Sequence, residues 1–364
     1  MTERIGILTG GGDCPGLNAV IRAAVKAAAR RGWESLGFHG GFEGLLAPLS
    51  YMPLDYRQMG GLLYRGGTIL GTTNKGRFAA KTGHGEVRRV PAEVLDEAKS
   101  NFEALGLKAL VCIGGDGSLT IAQQLYEHGV PLVGIPKTID NDLDATLMTF
   151  GFESAVACAV EAVDRLTTTA ESHNRVMVLE VMWRYAGWIA GFAGLAGGAD
   201  VILIPEIEFN YPSICAKIEE REREGKRFTI VVAAEGAREQ GKGFVTAGET
   251  GADREARLGG VGHVIAAEIQ KRTAKETRAC VLGHLQRGGP PTPVDRQLCT
   301  RFGVAAVEMI AAGKFGHMAA LRPPEVVAVP LTEATGRIRT VPLDGELVRT
   351  ARALGISFGN ELPG

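Results

Sequence analysis

Three short segments of this 364-residue chain place acids, a lysine and a threonine directly after apolar runs. Ile5–Thr9 leads into Gly10-Gly-Gly-Asp-Cys-Pro-Gly16, and Leu110–Ile113 leads into Gly114-Gly-Asp-Gly-Ser118. Val133–Pro136 leads into Lys137-Thr-Ile-Asp-Asn-Asp142. Glycines let main-chain N–H groups face an anion, and Pro15 suits a helix start, whose positive dipole end favours phosphate. Asp116, flanked by glycines, can hold a hydrated magnesium ion while the backbone closes on phosphates. Asp140 and Asp142 lie two residues apart in an extended segment. One can take the proton of a hydroxyl while the other serves a metal, the division of labour that phosphoryl transfer requires. Taken singly, each segment also fits a structural part: a tight turn, an aspartate capping a helix, or a solvated acidic loop. The first is neither a GxxxxGK[ST] loop nor a GxGxxG turn, because neither spacing is present.

Such groups need strand ends to carry them. Short aliphatic runs are expected as strands at Ile5–Thr9, Leu107–Ile113, Pro131–Ile135, Val176–Val181, Val201–Pro205, Phe228–Ala234 and Ala279–Gly283. Amphipathic stretches between them, at Leu17–Arg31, Leu119–His128, Phe152–Thr168, Pro212–Arg223 and Val261–Lys271, are expected as helices. This alternation predicts an α/β fold, two lobes of mostly parallel sheet covered by helices. A boundary is expected near Phe150, where the polar run after Lys137 gives way to a long helix. In such sheets the ligand sits beyond the carboxyl ends of the strands.

Composition bounds the rest. Forty basic against forty-one acidic residues leave a net charge of −1, so no bulk attraction to nucleic acid or anionic membrane is expected. Six scattered cysteines without a CxxC pair read as buried small hydrophobes in a reducing compartment. The first residues lack a signal peptide's basic and apolar regions, and no apolar stretch reaches the ~18 residues of a membrane span. A soluble, cytoplasmic chain is expected.

In their order and separation the three strand-end motifs resemble the phosphofructokinase family of ATP- and pyrophosphate-dependent enzymes. The resemblance continues through Glu171-Ser-His-Asn-Arg175, Glu180-Val-Met-Trp-Arg184, Ala196-Gly-Gly-Ala199, Ile204-Pro-Glu206, Ala234-Glu-Gly236 and Leu282-Gly-His-Leu-Gln-Arg-Gly-Gly289. It thus runs from about Ile5 to about Gly313. The family's fold implies a donor and magnesium lobe over residues 1–150. A sugar-phosphate lobe over 151–364 would follow, with a segment crossing back. By similarity Asp140 is the general base for the 1-hydroxyl of fructose 6-phosphate, and Thr138 positions the transferring phosphate. Asp116 would bind Mg2+, with Asp142 helping. Gly11 and Gly12 would donate N–H groups to the donor, with Gly115, Gly117, Ser118, Lys75, Arg77 and Lys137 completing its site. Arg184 would offset charge in the transition state. Arg175, Arg278, His284 and Arg287 would take the 6-phosphate, and Glu235 a ring hydroxyl, beside Met182. Because the places of Arg175 and Arg278 reach across from a neighbouring subunit in the family, a homo-oligomer is implied, a tetramer ahead of a dimer.

The chain departs from the family at several places. Trp183 replaces the usual glycine of Met-Gly-Arg, and Asn74 stands where bacterial ATP enzymes carry arginine. Arg22 and Lys26 fit the family's effector site, but Thr167 replaces an arginine and Arg223-Glu-Gly-Lys-Arg227 matches its basic cluster loosely. The donor signals are mixed. Gly117 leaves room for a nucleotide where pyrophosphate users carry aspartate, whereas Lys137 is their residue. ATP is the expected donor. Pyrophosphate is the alternative, and a silent regulatory subunit is a third reading.

Overall fold

The computed structural model describes residues 2–73, 76–78, 89–245 and 259–362. Twelve strands are described: β1 (Arg4–Thr9), β2 (Glu34–Phe38), β3 (Tyr51–Pro53), β4 (Ala109–Gly114), β5 (Leu132–Thr138), β6 (Phe150–Gly151), β7 (Val176–Val181), β8 (Val201–Leu203), β9 (Thr229–Ala234), β10 (Thr277–Val281), β11 (His317–Arg322) and β12 (Glu325–Pro330). The helices are α1 (Leu17–Arg30), α2 (Ala92–Ala104), α3 (Asp116–Glu127), α4 (Phe152–His173), α5 (Trp188–Ala196), α6 (Tyr211–Arg223), α7 (Val261–Thr273), α8 (Pro293–Ala311), α9 (Leu331–Ala334) and α10 (Glu346–Ala353). The chain is α/β, with parallel sheets flanked by helices.

It forms two compact units. The first comprises Met1–Ser154 and Arg287–Arg337, the second Ala155–Gln286 and Ile338–Gly364. The first unit's sheet runs β12-β11-β5-β4-β1-β2-β3, with β6 pairing β5. Its central strands β4 and β5 are buried along their whole length, which is why ALVCIG and LVGIPKT carry unbroken apolar runs. Antiparallel β3 and β12 close the edges. Helices α1 and α8 approach closely, since a Cβ on Gly303 would stand 2.7 Å from the Ala23 Cβ. The order of strands reverses between β1 and β4, and the ends of both carry glycine-rich turns. That is the switch point at which open α/β sheets bind ligands.

The second unit has a parallel sheet in the order β10-β7-β9-β8. Its core gathers Val178, Leu203, Val231, Ile214 and Ile265. The pattern missed β2, β3, β6, β11, β12, α2, α5, α8, α9 and α10. β11 is buried only over its Met318–Ala320 middle and β12 is half-exposed along most of its length, so they lack the continuous burial of the central strands.

Candidate active site

In the first unit the three motifs meet at neighbouring strand ends. Gly10 N–H donates to Ile113 O at 2.8 Å, which ties the turn after β1 to the end of β4. The Ser118 side chain fills the space between these turns. A Cβ on Gly10 would stand 2.7 Å from Ser118 Oγ, and one on Gly114 only 2.2 Å from Ser118 Cβ. Gly11 has φ 76, a left-handed conformation that glycine adopts without strain. The Thr72 hydroxyl, which no sequence motif marked, donates to Gly11 O at 2.5 Å and fixes that turn. Gly115 caps α3, and its Cβ would stand 3.2 Å from Lys137 O. Gly117 is the second residue of α3.

Lys137, Thr138, Asp140 and Asp142 are all buried. Lys137 Nζ donates to Gly12 O, and burial pushes the ammonium below its ordinary range. The Thr138 hydroxyl donates to Asp140 Oδ2 at 2.8 Å and accepts Asp140 N–H at 3.1 Å. Thr149 Oγ1 holds Thr138 O at 2.8 Å, and Thr149 N–H donates to Asn141 Oδ1 at 3.0 Å. Asp140 Oδ2 is therefore held from within its own segment by the Thr138 hydroxyl.

Asp116 opens α3, where its Oδ1 accepts Gly336 N–H at 3.0 Å and burial raises its carboxyl above the ordinary range. Among the described residues no group of three or more His, Cys, Asp or Glu could hold a metal ion. A single carboxylate beside a phosphate-facing turn nonetheless suits Mg2+, which keeps several waters and shares substrate phosphates rather than filling a protein cage. Asp116 thus fits the ion.

Lys75 lies outside the described residues, as does Asn74. Arg77 is paired with Glu97 at 2.6 Å, and Glu43 Oε1 accepts the neighbouring Phe78 N–H at 2.7 Å. Arg287, expected at the sugar phosphate, stands in the first unit. Its Nη1 donates to Asp13 O at 3.1 Å, and a Cβ on Gly12 would be 2.9 Å from it. The chain crosses back to the first unit at this residue, which puts the guanidinium against the glycine turn.

The second unit holds the other expected residues. Met182 N–H donates to Gln286 Oε1 at 2.7 Å, and Gly236 N–H donates to Trp183 O at 3.1 Å. Gly236 must be glycine, because a Cβ would fall 1.9 Å from Arg184 O. Trp183 has φ 116, a region that costs a non-glycine residue of order 1–3 kcal/mol. This explains the family's glycine there. Its ring meets Tyr185 edge-on at 6.0 Å, and the buried Nε1 makes no hydrogen bond.

Glu235 is half-buried. Burial raises its carboxyl, Glu180 raises it further, and Arg184 and His284 oppose the rise. Arg175 and Arg278 both reach the Glu276 carboxylate, at 2.9 and 2.6 Å. Glu276, missed in the motifs, lies just before β10, two residues ahead of Arg278. The Arg175 guanidinium holds its carboxyl below the ordinary range.

Comparison with known proteins gives the lineage. The family described as Phosphofructokinase matches residues 4–310. An ATP-dependent 6-phosphofructokinase of Chloroflexus aurantiacus is 53% identical over 360 residues, 99% of this chain and 99% of that one. A pyrophosphate–fructose 6-phosphate 1-phosphotransferase of Amycolatopsis methanolica is 50% identical, covering 93% of this chain and 96% of that protein. The crystal structure of Pichia pastoris phosphofructokinase in the T-state superposes with a TM-score of 0.78 at 32% identity and 92% coverage of this chain. This chain spans 35% of that larger one. With a family match over most of its length and relatives identical at half its positions, the chain belongs to the phosphofructokinase family.

Proposed function

We propose that the chain transfers the terminal phosphoryl group of ATP to the 1-hydroxyl of fructose 6-phosphate, giving fructose 1,6-bisphosphate. The observation that carries this reading is the buried Thr138–Asp140 pair beside the Gly10–Gly12 turn and Lys137. Asp140 Oδ2 is held by the Thr138 hydroxyl, which sets the carboxylate to receive the proton of an incoming alcohol. As that proton leaves, the sugar oxygen attacks the terminal phosphorus and the bond to the donor's bridging oxygen breaks. Gly11 and Gly12 offer N–H groups to the transferring phosphate, while Lys137 and Arg287 spread positive charge around the same turn. Arg184 offsets charge in the transition state. Asp116, with help from Asp142, would hold Mg2+, which would supply charge neutralisation for the donor's phosphates.

The second unit supplies the grip on the sugar. Glu235 accepts a ring hydroxyl, Met182 lines the ring, and Arg175, Arg278 and His284 take the 6-phosphate. Guanidinium forks suit that anion. Arg175 and Arg278 serve a neighbouring copy in this reading, so the working form is a homo-oligomer, a tetramer ahead of a dimer. No helix among the described residues is long and apolar enough to cross a membrane, and we assign the enzyme to the cytoplasm.

A second reading, with pyrophosphate as donor, is favoured by one observation: Lys137 is buried with its ammonium on the donor turn. Gly117 weighs against it, since an aspartate there is what would obstruct a nucleotide. A coupled assay for fructose 1,6-bisphosphate on the purified chain, with ATP and then with pyrophosphate at equal concentration, decides between them. Turnover with ATP is expected, and turnover with pyrophosphate alone would reverse the assignment.

A further inference from the structure

The block Ile204-Pro-Glu206 has no part in the reaction above, yet its carboxylate is heavily used. Glu206 accepts the Gly187 N–H on both oxygens, at 2.9 and 3.0 Å, and the Val341 N–H at 2.8 Å. Gly187 ends the loop that carries Met182, Trp183 and Arg184, and it caps α5. A Cβ on Gly187 would stand 2.9 Å from Glu206 Oε2 and 2.3 Å from Ile204 Cβ, so only glycine brings the loop this near.

Val341 belongs to a stretch that begins after the residues matched by the family. That stretch lies along the second unit. Trp188 Nε1 donates to Arg339 O at 2.8 Å, and the Arg339 guanidinium sits 5.0 Å from the Trp188 ring centre. Leu347 occupies the space beside Gly191 of α5. Further on, Ile202 N–H donates to Ser357 O at 2.9 Å and Ser357 N–H to Asp200 O at 3.0 Å, covering the open edge of β8. The C-terminal stretch is thus fastened at both ends, and Glu206 joins it to the loop.

We propose that Glu206 is a positioning residue for Arg184, its carboxylate coupling the C-terminal stretch to Gly187 and so fixing the Met182–Gly187 loop. This rests on the reading that Arg184 offsets charge during phosphoryl transfer. Charge-assisted bonds to a carboxylate are about twice as strong as neutral ones. A carboxylate that spans two segments holds them to a single geometry. Small misplacements of such a group are costly, with about 1 Å of displacement worth up to roughly 10² in rate.

Two variants test the coupling. Glu206→Ala removes both acceptor oxygens, so nothing is left to hold Gly187 and Val341 together. Val341→Pro leaves Glu206 intact and removes the N–H that it accepts from the C-terminal stretch, together with a buried valine side chain. Each is expected to lower kcat roughly 10-fold while the KM for the donor stays within about 2-fold. The double variant should be no worse than the poorer single one, because both cut the same link. Amide exchange over residues 182–190 should speed up in both variants, with residues 132–142 unchanged. A strap of purely structural value would lower Tm and leave kcat alone. Unchanged kcat in both variants, losses that multiply in the double, or unaltered exchange over 182–190 would each overturn the proposal. A wild-type chain inactive with either donor would sink the functional reading instead, and the exchange result would then judge the clamp by itself.

Discussion

The two halves of the proposed chemistry are built differently. In the first unit the reacting groups are buried and tied to one another: Thr138 holds Asp140, Thr149 holds Thr138, and Lys137 is anchored on Gly12. In the second unit the proposed ligand-gripping groups are half-exposed or exposed, and the arginines borrow protein partners. Arg175 and Arg278 share Glu276, Glu235 carries a carboxyl raised by burial, and Trp183 sits in a strained conformation. In the proposed reaction, bond making would thus be preorganised, whereas acceptor binding would exchange protein contacts for ligand contacts. Changes in the first unit should therefore act on kcat, and changes in the second on the sugar's KM.

The largest effect expected is at the base. Asp140→Asn should lower kcat roughly 10²–10⁴-fold, the usual worth of general acid–base catalysis, with the sugar's KM changing far less. Near-normal turnover would remove Asp140 from its role. Next comes the donor. Gly117→Asp adds a charge and a side chain at the start of α3 and should cut kcat/KM for ATP by about 10², leaving the sugar's KM nearly intact. An equal loss for both substrates would mean that the fold, not the donor site, had been damaged.

In the second unit Glu235 gives a pH test. Its folded pKa is raised, so on acidification it takes up a proton at a higher pH than an ordinary glutamate. Once protonated it is a poorer acceptor for a ring hydroxyl. The sugar's KM should therefore climb on the acid side before kcat falls. The sign for stability follows: a raised folded pKa means that the contribution of this group is present below its unfolded pKa and lost as pH rises through the folded value. Glu235→Gln should then raise Tm at neutral pH while weakening sugar binding and flattening the pH dependence of KM. A lower Tm at neutral pH would contradict the burial argument. The smallest effect is expected from Trp183→Gly. Relief of a positive φ offsets the lost ring contact with Tyr185, so Tm should stay within about 3 °C, with the sugar's KM shifted roughly 2–5-fold. A large fall in kcat would place Trp183 in the bond-making half instead.

Much of the first unit was legible in the chain. β1, β4 and β5 are buried on both faces, so each shows as an apolar run, and each ends in the residues that carry chemistry. Val176–Val181 was read to the residue for the same reason. Other features left no such trace. Arg287 joins the first unit only because the chain returns there, a long-range event that local pattern does not encode. α5 carries two interior glycines, which hid its helical period, and the strain at Trp183 shows only in its dihedral angle. The partners of the marked residues (Thr72, Glu276 and Gln286) are ordinary polar side chains whose roles come from position alone.

The comparison rests on one event, the arrival of a phosphoryl group on the sugar's 1-hydroxyl under the control of the first unit. Phosphorus NMR of the purified chain with ATP, Mg2+ and fructose 6-phosphate follows it directly. A second phosphate ester on the same sugar, at carbon 1, is expected to grow as ATP becomes ADP, and to be almost absent with Asp140→Asn. ATP hydrolysed to free phosphate without a new ester, or an ester formed equally fast by Asp140→Asn, would contradict it.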